Sequence, residues 1–388
     1  MIIQSKRVYL ASTFTPAQIE INGDKIVSIY PYGTKKVNKD YGDKRIVPGF
    51  YDVHTHGYHG YDTTAGGEKG LKKWIKDLPF EGVCGFCPTT LTQSHKTLKK
   101  AVTEVAKVKK TNPKGAEILG IHFEGPYISK EFKGAQPEEY IVKPDIEEFK
   151  QYQQKANGLI KIITVAPEED NDDEFIKYCV ANGVNVSLGH SAATYEQAMQ
   201  AIQDGATCFT HTYNGMSRFN HRDNNLVGAA LGSDIFAECI CDGHHSTLNS
   251  LRIFFRCKGK NGIMMSDGLM TKGLPVGTKM LFGGQEIEMK PDDTCRLTST
   301  GNFAGSILRI NNGLRILVED VKVPFEIALS SCTSAPARYL KIDDRKGYIK
   351  VGYDADIVVL DDQYNVLDTY CRGTLYSYEW FISILYCW

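Results

Sequence analysis

Short β-rich runs recur along most of this chain, near residues 46–54, 83–89, 118–124, 160–166, 185–190, 207–211, 236–242 and 262–267, and helix-like segments separate them. Strands joined through helices must lie parallel, because parallel neighbours need a long crossover connection. Eight such units are the number that makes a (β/α)8 barrel, so the expected fold is α/β, a TIM-like barrel. The intervening segments carry helix signals of their own. Residues 94–110 open on Ser94 and place Leu98, Val102 and Val105 on one face, while 194–203 opens on Thr194 and stops before Gly205.

The two ends of the chain follow another rhythm. Val8-Tyr9-Leu10, Ile19-Glu20-Ile21 and Ile26–Ile29 are short apolar stretches, and Asn22-Gly23 between the last two is a hairpin signal. From Gly347 the β rhythm returns in Gly347-Tyr348-Ile349, in Val351–Asp356 and in Ile357-Val358-Val359-Leu360. The expectation is a small β-sandwich domain built from residues 1–45 plus 346–388, attached to a barrel over 46–345. Residues 270–300 read as an excursion of loops and hairpins, and 304–319 as a helix with Ile307, Leu308, Ile310, Leu314, Leu317 and Val318 on one face. Two further helices are expected, one from Pro324 and one ending near Leu340.

The strand-like runs share a feature at their C-terminal ends. The first ends in His54 and His56, the third in Glu124, the fifth in His190, the sixth in His211 and the eighth in Asp267. In a barrel these ends open on one face, where active sites are built. Alone, a His-x-His is more often a packing accident, and an aspartate a strand-end cap. Their collection at successive strand ends is what gives the pattern meaning. His54 and His56, two apart on a strand, point to one side. His54, His56, Glu124, His190 and His211 are donors suited to zinc or iron. Five donors exceed the needs of one open catalytic metal, so two ions bridged by Glu124 or a hydroxide are expected, in a set of one or two divalent ions per subunit. A metal brings the pKa of water to about 7. Asp267, outside the donor set, is then the base that takes the water proton and delivers it to the leaving group. His122, two residues before Glu124, should be a core histidine or a ligand's partner rather than a ligand.

Composition removes several classes of function. The 45 basic and 46 acidic side chains nearly cancel, which argues against nucleic acid or an anionic membrane as partner. No apolar run approaches the ~18 residues of a membrane helix. Eleven cysteines without disulfide spacing, and no leader-like start, fit free thiols in the cytoplasm. Cys84-x-x-Cys87 reads as part of a buried strand rather than a zinc or redox pair. The aromatic tail Trp380–Trp388 is too short to span a membrane and reads as a packing segment.

The Asp-x-His-x-His at the first run and the closing Val-Gly-Tyr-Asp-Ala-Asp-Ile-Val-Val-Leu resemble the amidohydrolase superfamily. More narrowly, the chain resembles the N-acetylglucosamine-6-phosphate deacetylase family through His122–Pro126, Leu188–Ser191, His211–Met216, Asp242–His245, Ser266–Gly268 and Phe303–Ser306. The resemblance implies metal-dependent hydrolysis of the 2-acetamido group to acetate and glucosamine 6-phosphate. It implies that Glu124, His190 and His211 are the most constant metal ligands and that Asp267 is the general acid/base. Ala135 and Gln136 match contacts near the acetamido group. Asn214, Gly215, Asp242, His245, Phe303, Ala304 and Gly305 match sugar and phosphate contacts, and Arg222 the phosphate arginine. Part of the phosphate site comes from a neighbouring subunit in that family, which implies a homodimer. Some members replace the first two histidines by Gln and Asn and keep one metal, whereas this chain retains both. Some place a histidine at Gln136 to polarise the amide. Both departures favour two metals.

Dihydroorotase-like, adenine-deaminase-like and isoaspartyl-dipeptidase-like hydrolases are the rivals. Many of them bridge metals with a carboxylated lysine on strand four, yet here that run ends Thr164-Val165-Ala166-Pro167-Glu168. A non-catalytic metabolite-binding barrel would have no need of Asp267.

Overall fold

The computed structural model of the protein describes residues 1–170 and 174–377; the aromatic tail lies outside the described residues. The parallel strands, in chain order, are β1 (Phe50–Thr55), β2 (Val83–Pro88), β3 (Ile121–Glu124), β4 (Ile160–Val165), β5 (Asn185–Leu188), β6 (Cys208–Phe209), β7 (Ala237–Ile240) and β8 (Gly262–Met265). Ladders join β1 to β2, β3 through β6, and β7 to β8. Backbone bonds outside the ladders link these groups. Thr90 N donates to His122 O (3.0 Å), Thr212 N to Glu238 O (2.8 Å) and Asp267 N to His54 O (2.9 Å). The strands are buried on both faces, as parallel strands flanked by helices must be.

The connecting helices form where their signals predict. His95–Lys110 starts on Ser94, whose Oγ accepts from Thr97 N, a cap worth about 1 kcal/mol. Its apolar stripe Leu98, Ala101, Val102, Val105 and Val108 is buried. Tyr195–Gln203 starts with a reciprocal capping box between Thr194 and Gln197.

The run at 46–54 is two strands, not one. Arg45–Pro48 lies antiparallel to Ile357–Leu360 and parallel to Ile2–Leu10, and the chain then crosses at Gly49 into β1. A Cβ on Gly49 would sit 2.5 Å from Cys84 Sγ, so only glycine lets the backbone pass there. Among the described residues the terminal segments form one continuous sheet of 8 strands, with its own core around Ile3, Ile19, Ile46, Ile357 and Tyr370. Residues 347–356, expected as strands, are turns; their amides bond instead to the first hairpin, Gly352 N to Ile26 O (2.8 Å) and Ala355 N to Asp24 O (2.8 Å). Lys346, fully buried, ties this sheet to the parallel strands through Asp356 (2.5 Å), Asp354 (2.9 Å) and Glu117 (3.1 Å).

The helix expected over 304–319 begins only at Ile310 and continues as a π-helix over Ile316–Asp320. Its expected first turn is extended because Ser306 N donates to Asp267 O (2.8 Å) and Ser306 O accepts from Leu269 N (2.9 Å). Those bonds hold the segment beside the end of β8. The excursion at 270–300 contains the antiparallel strands Lys279–Phe282, Gln285–Met289 and Cys295–Leu297. Phe325–Cys332 and Ser334–Tyr339 are the two later helices.

Candidate active site

Every polar strand end singled out in the sequence arrives at one point. His54 Nε2 lies 3.3 Å from His56 Nε2 and 3.5 Å from both Glu124 Oε1 and Asp267 Oδ1. His56 Nε2 is 3.1 Å from Glu124 Oε2 and 3.2 Å from Asp267 Oδ1. On the other side, His190 and His211 bring their Nε2 atoms to 3.1 Å of each other, and to 3.4 and 3.2 Å of Glu124 Oε1. Glu124 therefore stands between two imidazole pairs. His190, His211 and Asp267 have φ of 46°, 30° and 48°. Such left-handed conformations cost on the order of 1–3 kcal/mol each in non-glycine residues, and packing alone gives no reason for three of them at the ends of β5, β6 and β8.

The far sides of the rings decide how they can act. His190 Nδ1 meets Phe132 O (2.7 Å) and His211 Nδ1 meets Asn214 O (2.9 Å). A carbonyl only accepts, so Nδ1 carries a proton and, once the ring is neutral, Nε2 is the nitrogen that offers a lone pair. His54 Nδ1 faces Glu238 Oε2 at 3.0 Å with the same consequence. These are the outer contacts that fix metal-binding histidines. The donors fit a divalent metal: one group is His54, His56 and Asp267, another Glu124, His190 and His211. His122 does not compete, because Val53 O (3.1 Å) and Thr164 Oγ1 (2.8 Å) occupy its nitrogens. Sequence reading missed Glu238, a buried carboxylate in the apolar run Ala237-Glu238-Cys239-Ile240; that isolated charge was the available signal.

The pattern of the Amidohydrolase family matches residues 45–376 of the chain. The chain belongs to the amidohydrolase family. Its relatives include the N-acetylglucosamine-6-phosphate deacetylases of Bacillus subtilis (strain 168), 38% identical over 86% of this chain and 85% of that protein, and of Bos taurus, 35% identical over 87% and 84%. Among solved structures, the N-acetylglucosamine-6-phosphate deacetylase of Pasteurella multocida superposes with a TM-score of 0.90 at 29% identity, covering 97% of this chain and 100% of that one. That of Mycobacterium smegmatis, solved as a mutant in complex with N-acetyl-D-glucosamine-6-phosphate, gives 0.91 at 25%, covering 97% and 98%.

Within this amidohydrolase the cluster is electrostatically tight. Burial would raise the Asp267 carboxyl, but the His56 hydrogen bond and the charges of His54, His56 and His211 hold it below the usual carboxylate range. Burial opposes charge on His56, yet hydrogen bonds to Asp267 and Glu124 raise its pKa to about 9. Glu124 is kept ionised by His54 and by hydrogen bonds with His190 and His211, against the effect of burial.

A cavity opens onto these groups, lined in part by Ala135, Gln136, Asn214, Gly215, His245, Phe303, Ala304 and Gly305, all singled out in the sequence. Gln136 has both ends engaged: Oε1 accepts from Thr92 N (2.7 Å) and Nε2 donates to Glu124 Oε2 (2.9 Å). It therefore braces Glu124 from the cavity lining, where a contact near the acetamido group was expected. Asp242 is not on this lining; its Oδ2 accepts from His245 Nδ1 at 2.6 Å and orients that ring. His245 Nε2 is buried with no hydrogen-bond partner among the described residues and can bond a polar group of a ligand in the cavity it lines. Arg222 is not brought to the cavity of its own chain. It is exposed in a loop closed on itself by paired bonds between Asn220 and Asp223 (3.1 Å each).

Proposed function

We propose that this amidohydrolase hydrolyses the acetamido group of N-acetylglucosamine 6-phosphate, giving acetate and glucosamine 6-phosphate. The observation that carries the reading is Asp267, ionised and 3.2 Å from His56, at the rim of a convergent imidazole–carboxylate cluster in a chain whose relatives are deacetylases of this sugar phosphate. His54 and His56 on one side, His190 and His211 on the other, would hold one or two divalent ions, zinc or iron. Glu124, within 3.5 Å of all four rings, favours two. Such ions polarise the amide carbonyl and make water acidic near neutral pH.

The chain's own groups do the rest. Asp267 accepts the proton of the attacking water and returns it to the departing amine nitrogen as the carbon–nitrogen bond breaks. Gln136 keeps Glu124 in place. Asn214, Gly215 and the Phe303–Gly305 turn contact the sugar, with Ala135 near the acetamido group. His245, oriented by Asp242, faces the phosphate. Arg222, away from its own cavity, reaches the phosphate of a second subunit in a homodimer. The parallel strands close as one (β/α)8 barrel from Phe50 onward, since 46–48 pair in the terminal sheet, and the bond from Asp267 N to His54 O between β8 and β1 supports the closure. The described residues of the two terminal segments, 1–48 and 346–377, make the small β-domain. A cytoplasmic placement belongs to the same reading; among the described residues no helix is long and apolar enough to cross a membrane.

The test is acetate release by the zinc- or iron-loaded protein from N-acetylglucosamine 6-phosphate and from the unphosphorylated sugar. Turnover of the phosphate ester alone is expected. Equal rates would remove the phosphate roles of His245 and Arg222, and no release from either compound would remove the function.

A further inference from the structure

The cavity wall is apolar on one side of the donor cluster. Leu91, Phe282 and Ala304 belong to one buried apolar cluster, with Ala135 packed against it, and all four line the cavity. The Phe282 ring stands edge-on to His56 with centroids 5.5 Å apart. Elsewhere the lining is mixed, with Ile240 and Phe303 outside that apolar cluster and set among polar groups and bare backbone. Asn214 O holds His211, and Gly215 backs His190 so closely that a Cβ there would lie 2.8 Å from its ring.

The apolar wall is fixed in two places. Phe282 ends the strand Lys279–Phe282, and in the next strand Gln285 Nε2 donates to Ala135 O (2.8 Å). Between them Gly283, at φ +58°, lies against Leu91, where a Cβ would come within 2.5 Å of Leu91 Cδ2. The tip of the hairpin therefore rests directly on Leu91 and cannot carry a side chain there.

The scissile carbonyl must reach the imidazole and carboxylate donors, while the hydroxyls and phosphate of the sugar need polar partners once desolvated. The methyl of the acyl group needs none. We propose that Phe282 and Leu91 are the acyl-length stop of this enzyme: they receive that methyl and exclude longer N-acyl chains. The assignment rests on the deacetylase reading and adds the substrate feature that the apolar wall selects. It follows from orientation, since the contiguous apolar cluster lies against His56, whereas Ile240 and Phe303 line the cavity outside it.

The experiment compares kcat/KM for N-acetyl- and N-butyryl-glucosamine 6-phosphate. One methylene in an apolar site is worth roughly 10–200-fold, so the wild type should favour acetyl by about 100-fold or more. Phe282→Ala and Leu91→Ala should each narrow that preference by about tenfold or more through a gain on the butyryl compound. A wild type that takes both compounds equally overturns the proposal. So does an unchanged preference in variants that still hydrolyse the acetyl compound. Should Phe282→Ala be inactive on both, Leu91→Ala and the milder Phe282→Leu decide by the same ratio. A wild type that releases no acyl group from either compound defeats the deacetylase reading itself, a result distinct from a flat ratio.

Discussion

His190 and His211 are aimed by backbone carbonyls, those of Phe132 and Asn214, whereas His54 is aimed by a side chain, Glu238. His56 has no partner for Nδ1 among the described residues. A carbonyl survives any substitution of its own side chain; a carboxylate does not. The His190–His211 half is thus built into the chain path, while the His54–His56 half depends on residues that a few substitutions can change. Glu124 joins the halves, and Asp267 approaches only the first, within 3.2 Å of His56.

The harshest way to break this comparison is to remove the shared residue. Glu124→Ala should abolish metal retention on both sides together with acetate release, as read by elemental analysis and turnover. If one equivalent of metal stayed bound, Glu124 would not join the halves. Next in size is Asp267→Asn, expected to lower kcat by about 10²–10⁴ with metal content unchanged. Loss of metal in that variant would turn Asp267 into a ligand of the His54–His56 half and take away its role as the base.

Much of this was legible beforehand because strand ends in a parallel sheet concentrate function at one face. His54, His56, Glu124, His190, His211 and Asp267 needed only the run boundaries to be placed together. What escaped notice depended on contacts between distant segments. Nothing in Ile46–Val53 says that the chain changes sheets at Gly49; Cys84 pressing on that glycine does. The apolar period of 304–309 is helical, but the ladder with Asp267 and Leu269 overrides it. Glu238 and the second bond of Gln136 lay hidden for the same reason: each role is defined by a partner far away in the sequence.

Glu238 sharpens the contrast between the halves. Glu238→Gln keeps the shape but gives up the carboxylate that holds the Nδ1 proton of His54. The loss of such an outer contact costs about 10–100-fold in metal affinity. The loss should fall on one equivalent of metal only, seen as a second, weaker phase in a chelator titration. Equal weakening of both equivalents would show that the halves are not separable.

The smallest effect expected is on pH dependence. Without metal, hydrogen bonds to Asp267 and Glu124 keep His56 protonated up to about pH 9. Metal must displace that proton, so affinity on the His54–His56 side should rise with pH up to at least about pH 9, by about tenfold per unit for each proton released, with His54, also raised by Glu124 and Glu238, adding its own. The sign follows from the raised pKa: the lower the pH, the more completely the proton holds the site against the metal. In His56→Asn the competing imidazole is gone, so the steepness of this rise for the equivalent on that side should fall by about one proton, while the His190–His211 side keeps its own dependence. Metal binding measured from pH 6 to 10 in the two proteins reads this directly. Parallel curves would mean that His56 gives up no proton to the metal and lies outside the donor set.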